Sequence, residues 1–297
     1  MSTTREQMLA RIREGRGFIA ALDQSGGSTP GALRQYGIPE TAYSGDAEMF
    51  RLIHQMRARI MTAPAFSGEK ILGAILFEAT LDGLVDGKPT AEFLWNDRGI
   101  VPFLKVDKGL EAASGGVRLM KPMPALQPLL QRALAMGIFG TKMRSVIDAD
   151  TQAGIAAIVQ QQFEIGAQIA EAGLMPILEP EVTIRIPDKV AAEARLRNEI
   201  QTRLDALPAD RQVMLKLTIP DVPDFYRSLI EHPRVARVVA LSGGYTRDEA
   251  SALLAKNPGL IASFSRALVD ELRAQASDAQ FDRDLQRAVD QIYAAST

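Results

Sequence analysis

Three lysines are the residues most able to do chemistry. The chain has only nine lysines among 297 residues, yet Lys105, Lys142 and Lys216 lie inside short apolar runs, VPFLKVD, IFGTKMR and VMLKLTI. Taking an ammonium out of water is costly unless it is paired or deprotonated. Lys216 has the most apolar setting, with Met214, Leu215 and Leu217 around it. Desolvation and neighbouring positive charge both favour the neutral amine that a nucleophile needs near pH 7, so Lys216 is the candidate nucleophile. Lys105 and Lys142 stay charged where carboxylates flank them, and could then bind an anion or polarise an intermediate. The bland alternative is one structural ion pair per lysine.

Acids stand in comparable places. Asp23 ends GFIAALD, and Glu179 and Glu181 flank Pro180 in PILEPEV. Side chains alternate along an extended strand, so Glu179 and Glu181 share a face. Two carboxylates held close push their pKa values apart, which suits proton movement in both directions. Alternatively, one of them only orients the other's lysine partner. Downstream, Ser242-Gly243-Gly244 and Arg266 combine a backbone that a phosphate could approach closely with a guanidinium able to bind it bidentately.

Positioning these groups requires a framework, and the hydrophobic pattern supplies one. Eight short apolar runs bounded by Gly or Pro alternate with longer helical patterns: Gly17–Asp23, Ile71–Glu78, Gly99–Asp107, Ile138–Arg144, Leu174–Val182, Gln212–Ile219, Val235–Gly244 and Leu260–Arg266. Between them, Thr151–Ala172 and Lys189–Ala206 carry apolar residues at spacings of three and four. Near-continuous apolar strands alternating with helices predict a parallel (β/α)8 TIM barrel, an α/β fold, with its active site at the carboxyl ends of the strands. An open doubly wound sheet is the alternative, but no GxGxxG follows the first strand, and the Gly83–Lys88 stretch has the wrong spacing for a P-loop. A single domain over residues 1–297 is expected, with the barrel at about 17–294. Helices are expected in the long first connection, residues 24–70.

Composition narrows the function. A formal net charge of −2 gives no global basic field, so neither nucleic acid nor an anionic membrane is an expected partner. The absence of cysteine excludes disulfides and thiolate chemistry. The two histidines, His54 in a helical pattern and His232 in a Glu-His-Pro turn, argue against a catalytic zinc and leave a carboxylate-bound magnesium open. No run reaches the roughly 18 apolar residues of a membrane span. A cytoplasmic location is expected.

The segments GFIAALDQSGGSTP, ILGAILFEAT, VPFLKVDKG, IFGTKMRS, PILEPEV, VMLKLTIP, VVALSGGY and ASFSRAL, in that order, resemble class I fructose-bisphosphate aldolase, in its shorter bacterial branch. The resemblance implies a Schiff base between Lys216 and the ketose C2 carbonyl, with no metal or other cofactor. It further implies that Glu179 shuttles protons, that Asp23 meets the C4 hydroxyl and that Lys142 stabilises the carbinolamine. Glu181 and Lys105 would complete the polar network, with Lys105 also facing substrate hydroxyls or the distal phosphate. Ser242, Gly243, Gly244 and Arg266 would hold the C1 phosphate. Ser25 and Ser28 would meet the other phosphate, and Arg144 is counted among the phosphate-binding residues.

The chain also departs from that family's animal branch. It reads TPGAL, with Gly31 and Ala32, where the animal enzymes carry an arginine, and it ends in QIYAAST rather than a terminal tyrosine. Tyr293 sits in a helical pattern suited to core packing. The partner would be a small phosphosugar, and the chain a possible homo-oligomer. Competing readings are the same mechanism with another aldehyde, as in sedoheptulose 1,7-bisphosphate, a non-catalytic sugar-phosphate binder, and a metal-dependent barrel using Asp23, Glu179 and Glu181.

Overall fold

Each of the eight apolar runs contains a strand. In the computed structural model, which describes residues 3–296, these are β1 (Phe18–Leu22), β2 (Ile71–Leu76), β3 (Val101–Lys105), β4 (Gly140–Ile147), β5 (Met175–Val182), β6 (Val213–Thr218), β7 (Val235–Leu241) and β8 (Ile261–Ala262). All neighbours in this order pair in parallel. The seam between β8 and β1 carries a backbone hydrogen bond, Ala21 N–H to the Phe264 carbonyl at 3.1 Å. A (β/α)8 barrel results.

Helices cover the outside. The longer ones, in chain order, are α1 (Thr4–Glu14), α2 (Thr29–Gln35), α3 (Gly45–Thr62), α4 (Leu126–Ala135), α5 (Gln152–Glu171), α6 (Lys189–Asp205), α7 (Arg247–Leu254) and α8 (Asp278–Ala295). The long first connection holds α2 and α3, as its length required. In α8, Phe281, Leu285, Ala288, Val289 and Ile292 are buried, the spacing of one helical face pressed on the barrel wall. Such a side chain contributes about 1.5–3 kcal/mol on burial. Helix α1 instead closes the amino-terminal end of the barrel, where Met8 and Ile12 join Ile19, Leu72, Val101, Phe139 and Ala236 in the interior cluster.

The interior is layered by the period of two. Ile19 and Ala21, Val101 and Phe103, Ile177, Met214, Val239 and Ile261 face inward and form an apolar floor. Two residues further along the same strands stand Asp23, Lys105, Glu179, Lys216, Leu241 and Ser263, all on the wall of one cavity. The same parity runs from Gly140 through Lys142 to Arg144. At Gly140 a Cβ would lie 2.3 Å from the Met175 carbonyl and 2.9 Å from the Phe103 ring, so glycine there makes room for Phe103 in the barrel.

Two sequence expectations need correction. The eighth strand spans two residues, and Arg266 opens a short helix, Arg266–Val269, rather than ending the strand. The second strand stops at Leu76, and Glu78 turns outward to Lys108 at 2.7 Å and Arg132 at 2.8 Å. The Gly83–Lys88 stretch, whose spacing ruled out a P-loop, lies in a two-stranded antiparallel ribbon of Leu84–Val85 and Lys88–Pro89. His54 meets the Leu84 carbonyl and His232 meets Asp205, both away from the cavity. Among the described residues no helix is long and apolar enough to cross a membrane.

Candidate active site

Pairing register decides which side chains meet at the mouth. Lys105 is level with Lys142 across β3 and β4, and Arg144 is level with Glu179 across β4 and β5. The pairs Ile177–Met214 and Leu178–Leu215 place Glu179 beside Lys216. The register therefore gathers the cations of β3, β4 and β6 around the two glutamates of β5, on the wall of a cavity of about 620 Å³. Asp23, Ser25, Ser28, Lys105, Lys142, Arg144, Glu179, Glu181, Lys216, Ser242, Gly243 and Arg266 all line it.

At its floor the charges form a chain. Lys142 Nζ is 2.6 Å from Asp23 Oδ2 and 2.8 Å from Glu179 Oε2, while Glu179 Oε1 is 3.0 Å from Lys216 Nζ. The four side chains are buried, at 9% relative exposure or less. Buried ions of one sign would be untenable; alternating them exchanges lost hydration for close opposite charge.

The titration shifts follow from this order. Burial would raise the Asp23 carboxyl, but Lys142 and then Lys216 outweigh it and hold the group well below the ordinary carboxylate range. Glu179 is treated alike: burial raises it, Lys142 and Lys216 more than compensate, and the net direction is down. For Lys142 burial pulls down, while Asp23 and Glu179 push harder and leave it above the usual lysine value. With the site at rest, all three groups favour their charged forms. Glu181 differs, because burial exceeds the pull of Arg144, 2.6 Å away, and its carboxyl is raised. The two neighbouring glutamates thus have pKa values displaced in opposite directions, Glu179 down by two lysines and Glu181 up chiefly by burial rather than by their mutual spacing.

Lys105 stands apart from this chain. Its ammonium contacts Asp107 Oδ1 at 2.5 Å and the Asp107 carbonyl at 2.9 Å, and Glu181 pairs with Arg144 rather than with Lys105. Asp107 in turn accepts from the Arg144 backbone N–H. The carboxylates nearest the candidate nucleophile are thus each taken up by a lysine or an arginine.

A second end of the cavity is built by the segments that follow β7 and β8. Ser242 is followed by Gly243 at φ +59° and Gly244 at φ +113°, a left-handed turn in which a Gly243 Cβ would meet Ile184 at 2.6 Å. Arg266 comes alongside: its Nη2 would be 3.6 Å from a Cβ on Gly244, so the loops after β7 and β8 converge. Gly243 lies on the cavity wall, whereas Gly244, next in the same turn, does not line it. Ser25 and Ser28 form a local turn, the Ser25 N–H donating to Ser28 Oγ at 3.0 Å.

Sequence reasoning passed over Gln24, Ser263 and Ser265, which also line the cavity. Gln24 and Ser265 directly neighbour chosen residues, and strand parity from Ile261 marks Ser263. A third buried lysine beside Lys142 and Lys216, Lys189 in α6, was equally missed. Its ammonium meets Glu193 at 2.7 Å and Asp221 at 2.6 Å and donates to the Ile219 carbonyl, just beyond β6.

Comparison with known proteins agrees with this architecture. Residues 4–220 match the family model described as fructose-bisphosphate aldolase class-I. The chain is 55% identical over 291 residues to the fructose-bisphosphate aldolase class 1 of Synechocystis sp., spanning 98% of this chain and 97% of that protein. It is 54% identical over 291 residues to the enzyme of the same name from Porphyromonas gingivalis, spanning 98% and 99%. A ternary co-crystal structure of Plasmodium falciparum fructose-bisphosphate aldolase, in complex with TRAP and a small-molecule inhibitor, superposes with a TM-score of 0.74 at 21% identity, covering 98% of this chain and 94% of that one. The extent of these matches and the shared barrel leave one conclusion: the chain belongs to the class I fructose-bisphosphate aldolase family.

Proposed function

We propose that this protein cleaves fructose 1,6-bisphosphate reversibly to dihydroxyacetone phosphate and glyceraldehyde 3-phosphate, as a metal-independent lyase of glycolysis and gluconeogenesis. The observation that carries the reading is the Glu179 carboxylate held between Lys216 and Lys142 on the floor of a cavity whose rim suits phosphate.

In this mechanism Lys216 gives a proton to its neighbour Glu179 and its amine adds to the substrate C2 carbonyl. Glu179 returns the proton to the carbinolamine hydroxyl, water leaves, and a protonated imine remains. That cation is an electron sink beside the C3–C4 bond. Asp23, kept ionised by Lys142, takes the C4 hydroxyl proton; the C3–C4 bond breaks, and its electron pair flows into the imine to give a neutral enamine. Losing the positive charge on the Lys216 nitrogen removes one of the two cations that hold Glu179 down, so its affinity for a proton rises at that step. Protonation at C3 and hydrolysis release dihydroxyacetone phosphate and restore Lys216. Lys142 stays charged throughout and steadies both carboxylates. Ser242, Gly243, Gly244 and Arg266 hold the C1 phosphate. Ser25, Ser28, Lys105 and Arg144 serve the hydroxyls and the distal phosphate, and Glu181 orients Arg144.

The same reading makes the protein a cytoplasmic enzyme and a candidate homo-oligomer. Borohydride trapping tests the core of it. Incubating the protein with dihydroxyacetone phosphate, borohydride and EDTA should yield a reduced adduct mapped to Lys216; activity abolished by EDTA, with no adduct, would overturn the mechanism.

A further inference from the structure

Arg57, in α3, has no solvent exposure and makes no ion pair among the described residues. A guanidinium buried without a carboxylate is costly, and a methionine or leucine there would avoid that cost. Burial pulls its pKa down to about 10, with the charge of Asp23 opposing. What the side chain holds explains its presence. One Nη donates to Thr80 Oγ1 at 2.7 Å; the other donates to the Gln24 carbonyl and, at 3.2 Å, to Gln24 Oε1.

Because a guanidinium only donates, Gln24 must turn its amide oxygen toward Arg57 and its NH2 group away. That NH2 donates to Ser265 Oγ at 2.8 Å. Ser265 accepts in this contact, which leaves its own hydroxyl proton to donate elsewhere. Gln24 and Ser265 both line the cavity, one directly after Asp23 and the other directly before Arg266. They also extend the seam between β1 and β8, where the eighth strand is only two residues long and Ala21 donates to Phe264.

Building on the aldolase reading, we infer that Arg57 is a positioning residue that acts through Gln24 to present the Ser265 hydroxyl, beside Arg266, as a donor to a substrate phosphate. The relay also fixes the spacing between the β1 exit, which carries Asp23, and the β8 exit, which carries the phosphate clasp. Arg57 itself touches no substrate.

The test is borohydride trapping of dihydroxyacetone phosphate on Lys216, read as the half-saturating concentration and the limiting rate. Wild type is compared with Gln24→Met, Ser265→Ala, the double variant and Arg57→Lys. Each single substitution should raise the half-saturating concentration about tenfold, the scale of one hydrogen bond to a charged group, and by a larger factor than it lowers the limiting rate. The double variant should be no worse than Ser265→Ala, because the bridge acts as one unit. If Arg57→Lys does not fold, the Gln24 and Ser265 variants still decide. Half-saturation within twofold of wild type in both singles, or additive losses in the double, overturns the inference alone. Absence of any adduct in wild type overturns the aldolase reading and this inference with it.

Discussion

Glu179 Oε1 stands 3.0 Å from Lys216 Nζ, while the same carboxylate's other oxygen stands 2.8 Å from Lys142. One acid therefore senses the charge of two lysines, one of which changes charge during the proposed cycle. The first consequence concerns Glu179→Gln. An amide cannot accept the Lys216 proton or deliver one to the carbinolamine, so trapping of dihydroxyacetone phosphate should slow by roughly 10²–10⁴-fold. Stopped-time quench with borohydride measures it; a rate within tenfold of wild type would remove Glu179 from the shuttle.

Lys142→Met addresses stability. It leaves Asp23 and Glu179 buried with the shared cation gone, a loss of about 3–5 kcal/mol at pH 7. Without Lys142 both carboxyls bind protons more readily, so the penalty should shrink as the pH is lowered to 5. Urea unfolding at the two pH values checks this, and an equal penalty at both would show that the missing charge is not the cause.

Asp23 has a folded pKa depressed well below its unfolded value. Its stabilisation is therefore full above about pH 4, the unfolded value, and is lost as the pH falls further. Asp23→Asn should flatten the acid limb of the stability curve below that point. Thermal melts of both proteins between pH 2 and 6, chosen as about two decades on either side, would show curves of the same shape if Asp23 contributed nothing.

Gly140 is a packing requirement set two residues before Lys142. Gly140→Ala forces a methyl group against the Met175 carbonyl and the Phe103 ring, an overpacking cost of about 1–3 kcal/mol. Paired replacement with Phe103→Leu should recover part of the loss. If the double variant is as unstable as the single, the Phe103 contact is not the source.

Lys189 gives a separate test of buried-ion logic far from the chemistry. Burial keeps the Glu193 carboxyl above its usual range despite Lys189 beside it. Lys189→Met strands that acid and should cost about 3–5 kcal/mol, whereas Lys189→Met with Glu193→Leu should cost much less. Equal losses in denaturation curves would count against an electrostatic origin.

How much of this could be read beforehand differs by element. The strands were legible because apolar runs bounded by Gly and Pro have few other ways to satisfy their backbone, and the ends of α5 and α6 fell within a residue or two of the expected spans. Glu78 and Arg266 were misassigned because an apolar run does not mark where pairing stops. Arg266 moved from a strand into a short helix once β8 ended at Ala262. Lys189 escaped notice because a lysine in a helical pattern normally points to water, and only packing buries it.

By itself, then, the sequence determined the barrel, the strands that carry Lys105, Lys142, Glu179, Glu181 and Lys216, and the shared face of Glu179 and Glu181. These follow from local hydrophobic pattern and the period of two. Tertiary structure alone decided the partners: that Lys142 lies between Asp23 and Glu179, that Lys105 answers to Asp107 and Glu181 to Arg144, and that Arg57 reaches Gln24 from 33 positions away. The physical reason is that a side chain's face is set by its own strand, whereas its neighbour is set by the register between strands and by helices packed from distant parts of the chain.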